Sequence, residues 1–311
     1  MKEYTVGKND SGQRLDRFLT KQGLPISAIM KALRKKDIKV NGSRRPADYK
    51  LIEGDVIKAY LLINKAEAPP KKFEGVSANI NLVYEDSNII LVDKPVGLQC
   101  HDDRNSLIDR IKAYLYKKGE FDPALEQSFE PALCNRIDRN TAGIVIAAKN
   151  AESLRVMNER IKLRQVKKLY LCILSAIPAQ KSATLTAYLE KDEVKNQVVI
   201  SSRKTATNKT IVTKYRVLEE RGGLALAEVD LVTGRTHQIR AHMASIGCPL
   251  LGDGKYGRNR VNKQFGFAQQ ALCSYKLIFE FEGDEKTCLD YLSGRSFEVK
   301  NVWFLEEFCK I

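Results

Sequence analysis

The chain has 311 residues and a formal net charge of +14, long enough for two domains with separate cores. No apolar run approaches the roughly 18 residues of a membrane-spanning helix, and Met1-Lys2-Glu3-Tyr4 begins no apolar signal segment, so the expectation is a cytoplasmic protein without membrane contact. Its seven cysteines stand singly, with no Cys-x-x-Cys pair, which argues against a disulfide framework and against a zinc site.

The charge is unevenly placed. Residues 1–75 carry 17 Lys and Arg against 9 Asp and Glu, over half of the positive excess in a quarter of the chain. Clustered cations attract phosphate chains and release their counterions, which makes nucleic acid the leading partner. Within this segment a helix is predicted from Arg14 to Leu19, with Leu15, Phe18 and Leu19 on one side. Ser27 is the expected N-cap of a second helix, Ala28 to Lys36, with a cationic end. A short strand Ile38–Val40 leads to an Asn41-Gly42 turn, and Val56–Tyr60 forms a further strand. Residues 64–79 combine Pro, Lys and small residues without an apolar period and are expected to be a linker between a domain at 1–63 and another at 80–311.

Beyond the linker, apolar runs at 88–92, 144–148, 169–174, 198–201, 211–217, 224–232 and 275–281 are predicted strands. They are broken by a helix at 151–163 with Leu154, Met157 and Ile161 in step. Strands and helices without a regular βαβ alternation favour an α+β domain.

Two stretches fit one site: Asn135-Arg136-Ile137-Asp138-Arg139-Asn140-Thr141-Ala142-Gly143 and Thr233-Gly234-Arg235-Thr236-His237-Gln238-Ile239-Arg240-Ala241-His242. The first holds one carboxylate between arginines in a turn-prone segment; the second holds a Gly-flanked arginine. An Asp in such a segment commonly only caps a turn, and the pairing of the two stretches is what raises it to a candidate nucleophile. His237 and His242 are five residues apart and would point to different sides of a helix, which disfavours a metal site.

In order and content these stretches resemble the RluA-type pseudouridine synthases. Their motif His-Arg-Leu-Asp-x-x-Thr-Ser-Gly is matched by Arg136, Asp138, Thr141 and Gly143, with Asn135, Ile137 and Ala142 as departures. The second family motif is matched from Thr233 to His242 and then by Gly247, Pro249, Gly252, Asp253, Tyr256 and Gly257. Lys94-Pro95-x-Gly97 with His101, Lys168-Leu169-Tyr170, and Leu272-Cys273-Ser274-Tyr275-Lys276-Leu277 follow the family order too, the Cys273-Ser274 pair departing from it. The resemblance covers roughly residues 80 to 282. Residues 11–60 separately resemble a small RNA-binding domain first described in a ribosomal protein.

The resemblance implies a mixed, mainly antiparallel central sheet with flanking helices, plus a small N-terminal α/β RNA-binding domain. It also implies an isomerase that converts uridine to pseudouridine in structured RNA, without metal or cofactor. The hard step is akin to glycoside cleavage, where a carboxylate can stabilise or trap the sugar. Asp138 takes that role, Arg235 is the expected charge partner of Asp138, and Tyr170 the stacking residue beside the base. Leu277 is expected to close the opposite face, and Arg136 to fill the gap left by the flipped base. Arg14, Arg17, Lys31, Arg34, Lys35, Lys36, Lys39, Arg44 and Arg45 are the expected RNA contacts of the N-terminal domain. Large-subunit ribosomal RNA is the favoured substrate, transfer RNA the alternative, and a monomer the expected state. A catalytically silent RNA-binding protein and a glycosidase are the competing readings; the second lacks a paired carboxylate.

Overall fold

The computed structural model describes residues 1–60, 75–123, 129–192, 197–283 and 286–311. The expected domain boundary at 63/64 and residues 64–74 of the expected linker lie outside them.

The N-terminal region holds β1 (Lys2–Thr5), α1 (Leu15–Lys21), α2 (Ile26–Lys35), β2 (Ile38–Val40) and β3 (Val56–Ala59). The strands form an antiparallel sheet in the order β1-β3-β2. Leu15, Phe18 and Leu19 of α1 and Ile29 and Ala32 of α2 pack with Val40 and Ile57 into one core. Helix α2 starts earlier than expected, with Pro25 at its N-cap. Ser27 is therefore inside the first turn, because Pro25 already carries the extended backbone that a cap requires and needs no free N–H.

The second body contains β4 (Asn81–Glu85), β5 (Ile89–Lys94), α3 (Leu107–Lys117), β6 (Ala132–Leu133), β7 (Ala142–Ala148), α4 (Ala151–Lys162), β8 (Val166–Leu174), β9 (Ser182–Asp192), β10 (Gln197–Ser201), β11 (Lys209–Arg221) and β12 (Leu224–Asp230). It continues through α5 (Gln238–Ser245), α6 (Asn259–Gln264), β13 (Leu272–Phe279), β14 (Ser296–Glu298) and α7 (Leu305–Cys309). Among the described residues, eleven strands make one sheet whose main path runs β10-β9-β11-β12-β8-β13-β7-β5-β4, with β14 on β13 and β6 on β7. Their pairings are antiparallel except that of β13 with β7, where Cys273 stands opposite Ala142 and Ser274 opposite Gly143. The expected α+β architecture with a mainly antiparallel sheet is what the chain adopts.

Alternation along the strands sorts two cores. Ile90 and Val92 of β5, Val145 and Ala147 of β7 and Tyr170 and Cys172 of β8 pack under α3 (Leu107, Ile111, Leu115) and α5 (Ile239, Met243). Ile89, Leu91, Ile144 and Ile146 point the other way, toward Met157 of α4 and Leu277 and Phe279 of β13. Helix starts are locally encoded: Ser106 and Asp109 form a capping box for α3, and Asn150 Oδ1 accepts Ser153 N–H at 2.8 Å at the head of α4.

A candidate active site around Asp138

Asp138 lies in the loop between β6 and β7, where Thr141 N–H donates to the Asp138 carbonyl at 3.1 Å and closes a turn. The loop is held from behind by Lys94 at the end of β5. This side chain is fully buried, and its ammonium donates to the carbonyls of Pro95 (3.0 Å), Leu98 (2.8 Å) and Arg139 (3.0 Å). Three acceptors satisfy its three protons, which lets a lysine sit inside a core. Burial nonetheless pulls its pKa down to about 8. Gly97 and Arg139 add a reciprocal pair of bonds, and Cys100 reaches the Ile137 carbonyl.

The carboxylate opens into a cavity of about 510 Å³ lined by both motifs, with Tyr170 and Leu272 on its walls. Its cationic partner is Arg240 of α5, whose Nη1 donates to Asp138 Oδ2 at 2.9 Å. The rest of that guanidinium is gripped by Asp253: Nε to Oδ2 at 2.7 Å and Nη2 to Oδ1 at 2.9 Å. Asp253 is fully buried and also accepts the N–H groups of Lys255 and Tyr256. Burial would push its carboxyl up, but the Arg240 hydrogen bonds and charge hold it below the usual carboxylate range. A two-pronged pair on one carboxylate therefore aims an Nη1 N–H at the other. The Tyr256 ring packs on the same guanidinium, 5.2 Å from centroid to Cζ.

Arg235, the expected partner of Asp138, is not the residue in this contact. It is exposed on the cavity rim in the loop before α5, and its backbone N–H donates to Gln238 Oε1 at 3.1 Å. The helix starts only at Gln238, so the loop arginine is left outside while Arg240, within the wholly buried run 238–243, points in. Leu277 also departs from its expected place. It is fully buried on the α4 face of the sheet with Ile89 and Ile144. Leu272, on the Tyr170 face, lines the cavity instead. The two leucines stand an odd five residues apart on β13 and belong to opposite cores. Arg240 and Asp253 both stand in the second motif, and the signal that pairs them is chemical: an internal helix arginine needs a buried acid.

Tyr170 is buried, and burial raises its phenol far above the usual range, with the Ser274 hydroxyl working the other way. Arg136 is exposed at the cavity mouth. Asn135 Oδ1 accepts Ile146 N–H at 2.8 Å, tying the loop to β7. His237 and His242 do face different neighbours, Tyr256 and Thr213, and no group of three His, Cys, Asp or Glu side chains arranged to hold a metal is found among the described residues.

A family model described as RNA pseudouridylate synthase matches residues 88–245, which contain Asp138, Tyr170 and Arg240. The chain belongs to that family. The synthase is 31% identical to the ribosomal large subunit pseudouridine synthase C of Vibrio cholerae over 90% of this chain and 89% of that protein. It is 32% identical to an uncharacterized RNA pseudouridine synthase of Mycoplasma capricolum over 95% and 96%. Among solved structures, human RNA pseudouridylate synthase domain containing 4 superposes with a TM-score of 0.58 at 22% identity, covering 74% of this chain and 92% of that one, a likeness of fold. The enzyme is thus an RNA pseudouridine synthase, and no helix among the described residues is long and apolar enough to cross a membrane.

In the N-terminal body, Arg17, Lys31, Arg34, Lys35, Lys36, Arg44 and Arg45 are exposed, and Lys39 is half-buried on β2. Arg14, whose side chain is 40% exposed, donates to Asp16 through two bonds of 3.0 and 2.6 Å.

Proposed function

We propose that this synthase isomerises uridine in large-subunit ribosomal RNA in the cytoplasm, with Asp138 as the nucleophile. The observation that carries the reading is the Asp138 carboxylate on a nucleotide-sized cavity, held by a buried arginine that a second carboxylate fixes. The names of the relatives support the ribosomal substrate, and the exposed cations of residues 1–60 supply a surface for phosphates, so those residues act as an RNA-binding domain and residues from 80 onward as the catalytic one.

Isomerisation breaks the C1′–N1 bond, turns the uracil and joins C1′ to C5; C5 loses a proton and N1 gains one, so no oxidant or carrier is consumed. As C1′–N1 breaks, positive charge gathers on the sugar and Asp138 stabilises or traps it. The target base must first leave the RNA stack. Tyr170 and Leu272 give it two apolar surfaces, and Arg136 at the mouth occupies the gap in the helix. The buried phenol of Tyr170 stands beside the C5 proton.

The test is release of tritium from 5-tritiated uridine in RNA. Asp138→Asn keeps the size of the side chain but removes its charge, and activity is expected to fall by orders of magnitude with RNA binding retained. Residual activity above about a tenth of wild type, equivalent to about 1.4 kcal/mol of barrier, overturns the assignment. Mapping pseudouridines in ribosomal and transfer RNA from cells with and without the gene decides the substrate; loss confined to transfer RNA would replace the ribosomal reading.

A further inference from the structure

His237 enters the site in a backbone conformation that a non-glycine residue seldom adopts, φ 53° and ψ 16°, at the N-cap of α5. Such conformations persist where the surroundings fix them, commonly at functional sites. Here the imidazole Nε2 faces Asp138, 3.8 Å from Oδ2. Its other nitrogen, Nδ1, is 3.0 Å from the Tyr256 hydroxyl. That hydroxyl oxygen already accepts the backbone N–H of Val198 in β10 at 2.8 Å. A hydroxyl that accepts this N–H keeps its own proton to donate to Nδ1, and in that arrangement Nδ1 accepts and the neutral ring carries its proton on Nε2, toward Asp138.

We propose that His237 is a positioning residue of the isomerisation: in the Nε2–H tautomer fixed by Tyr256 it closes onto Asp138 Oδ2 when a nucleotide fills the cavity. Oδ2 is then held by two donors, Arg240 Nη1 and His237 Nε2, and Oδ1 is left as the oxygen that meets C1′. The inference rests on Asp138 being the nucleophile. A separation of 3.8 Å is too long for a hydrogen bond, and contacts of this kind tighten when substrate binds.

The charge state of the ring matters. Around His237 stand Asp138 from the loop before β7, Arg240 from α5, and Asp253, Lys255 and Tyr256 from the segment after α5. Burial is the largest influence and lowers its pKa from 6.5; the two carboxylates oppose this, and Arg240 and Lys255 reinforce it. The ring is therefore neutral near pH 7. Protonation would convert a neutral donor into an imidazolium paired with the nucleophile, so activity is lost as pH falls through the lowered pKa and is kept above it.

The experiment uses the full-length protein and 5-tritiated total RNA from cells lacking the gene, with single-turnover rates measured from pH 5 to 9. His237→Ala is expected to slow turnover roughly tenfold or more, the loss of one hydrogen bond to a charged group, while RNA affinity is unchanged. His237→Gln, which carries an amide N–H near the Nε2 position, is expected to recover most of the rate and to lack the acid limb of the His237 titration. Tyr256→Phe keeps the ring on Arg240 but removes the donor to Nδ1, so that the ring protonates more easily and the acid limb moves to higher pH. A wild-type rate in His237→Ala overturns the proposal. So does equal slowing in the Ala and Gln variants with an unchanged acid limb, which would mark His237 as packing only. Asp138→Asn is measured in parallel: if it stays active, the underlying assignment of the nucleophile fails; if it is inactive while His237→Ala is normal, only the present inference fails. Should His237→Ala not fold, the Gln and Phe variants decide by their pH profiles.

Discussion

Arg235 and Arg240 lie five positions apart in one motif, and the difference between them is a difference of dielectric. A guanidinium at the rim is hydrated and screened, whereas Arg240 gives up its water for directed bonds to the Asp253 and Asp138 side chains, each of 2.9 Å or less. Arg240→Lys, though it conserves charge, is expected to cost two orders of magnitude or more in single-turnover rate, because an ammonium cannot fork onto Asp253 and reach Asp138 at once. Arg235→Ala is expected to change RNA affinity and leave the rate on saturating RNA near normal. The same tritium assay on both variants checks the pair, and the reverse ranking would return the role to Arg235. Much of the site was legible because Asp138, Tyr170 and both arginines stand in dense motifs. Which arginine turns inward was not, since that depends on where α5 starts.

Elements decide the remaining geometry. Strands β7 and β13 run parallel at the point where Gly143, φ +110°, faces Ser274, and a Cβ on Gly143 would stand 2.3 Å from the Ser274 carbonyl oxygen. Gly143→Ala is accordingly expected to destabilise the protein by about 3 kcal/mol or more, since backbone overlap and a left-handed conformation both oppose it; urea titration measures this, and a change under about 1 kcal/mol would show that the two strands can part freely. Helix α5 carries a second sensor, His242, buried with Nδ1 2.9 Å from Thr213 Oγ1 and with burial lowering its pKa to about 4. The unfolded chain takes up that proton more readily, so the stability His242 contributes is complete above about pH 6.5 and declines as pH falls toward 4, by about 3 kcal/mol at most. The decline should be smaller in His242→Gln, measured by urea unfolding at pH 7 and pH 4.5. At this scale the sequence was readable where apolar residues ran together or fell in helical step, as at β5, β7 and α4. It misled at β13, where Leu277, an odd five residues on from Leu272, belongs to the opposite core. It also said nothing of β9, Ser182–Asp192, where Ala183, Leu185, Ala187 and Leu189 alternate with polar or larger residues and form no continuous apolar run.

Across the whole molecule, described hydrogen bonds that join the N-terminal body to the catalytic one include Arg155 Nη1 to the Ser11 carbonyl at 2.7 Å and Ala151 N–H to Asn9 Oδ1 at 3.4 Å. Each body has its own core, so removing residues 1–60 is expected to leave the sheet folded and the rate on saturating RNA largely intact. It should weaken RNA binding and flatten its salt dependence by roughly 0.7–0.9 in log–log slope for each phosphate that is no longer neutralised. Affinity across a salt series tests this, and an unchanged slope would mean that the basic face of α2 does not meet RNA. The strand order has a consequence in time. Strand β13 lies between β8 and β7, so the half of the sheet that carries Tyr170 and the half that follows Asp138 have no shared edge until residues 272–279 arrive from late in the chain. On a translating ribosome the N-terminal body, with its own core and its exposed cations, is complete long before that strand emerges. A nascent chain halted near residue 265 would hold both motifs yet no assembled site: the basic face of the synthase is finished well before any uridine can be altered.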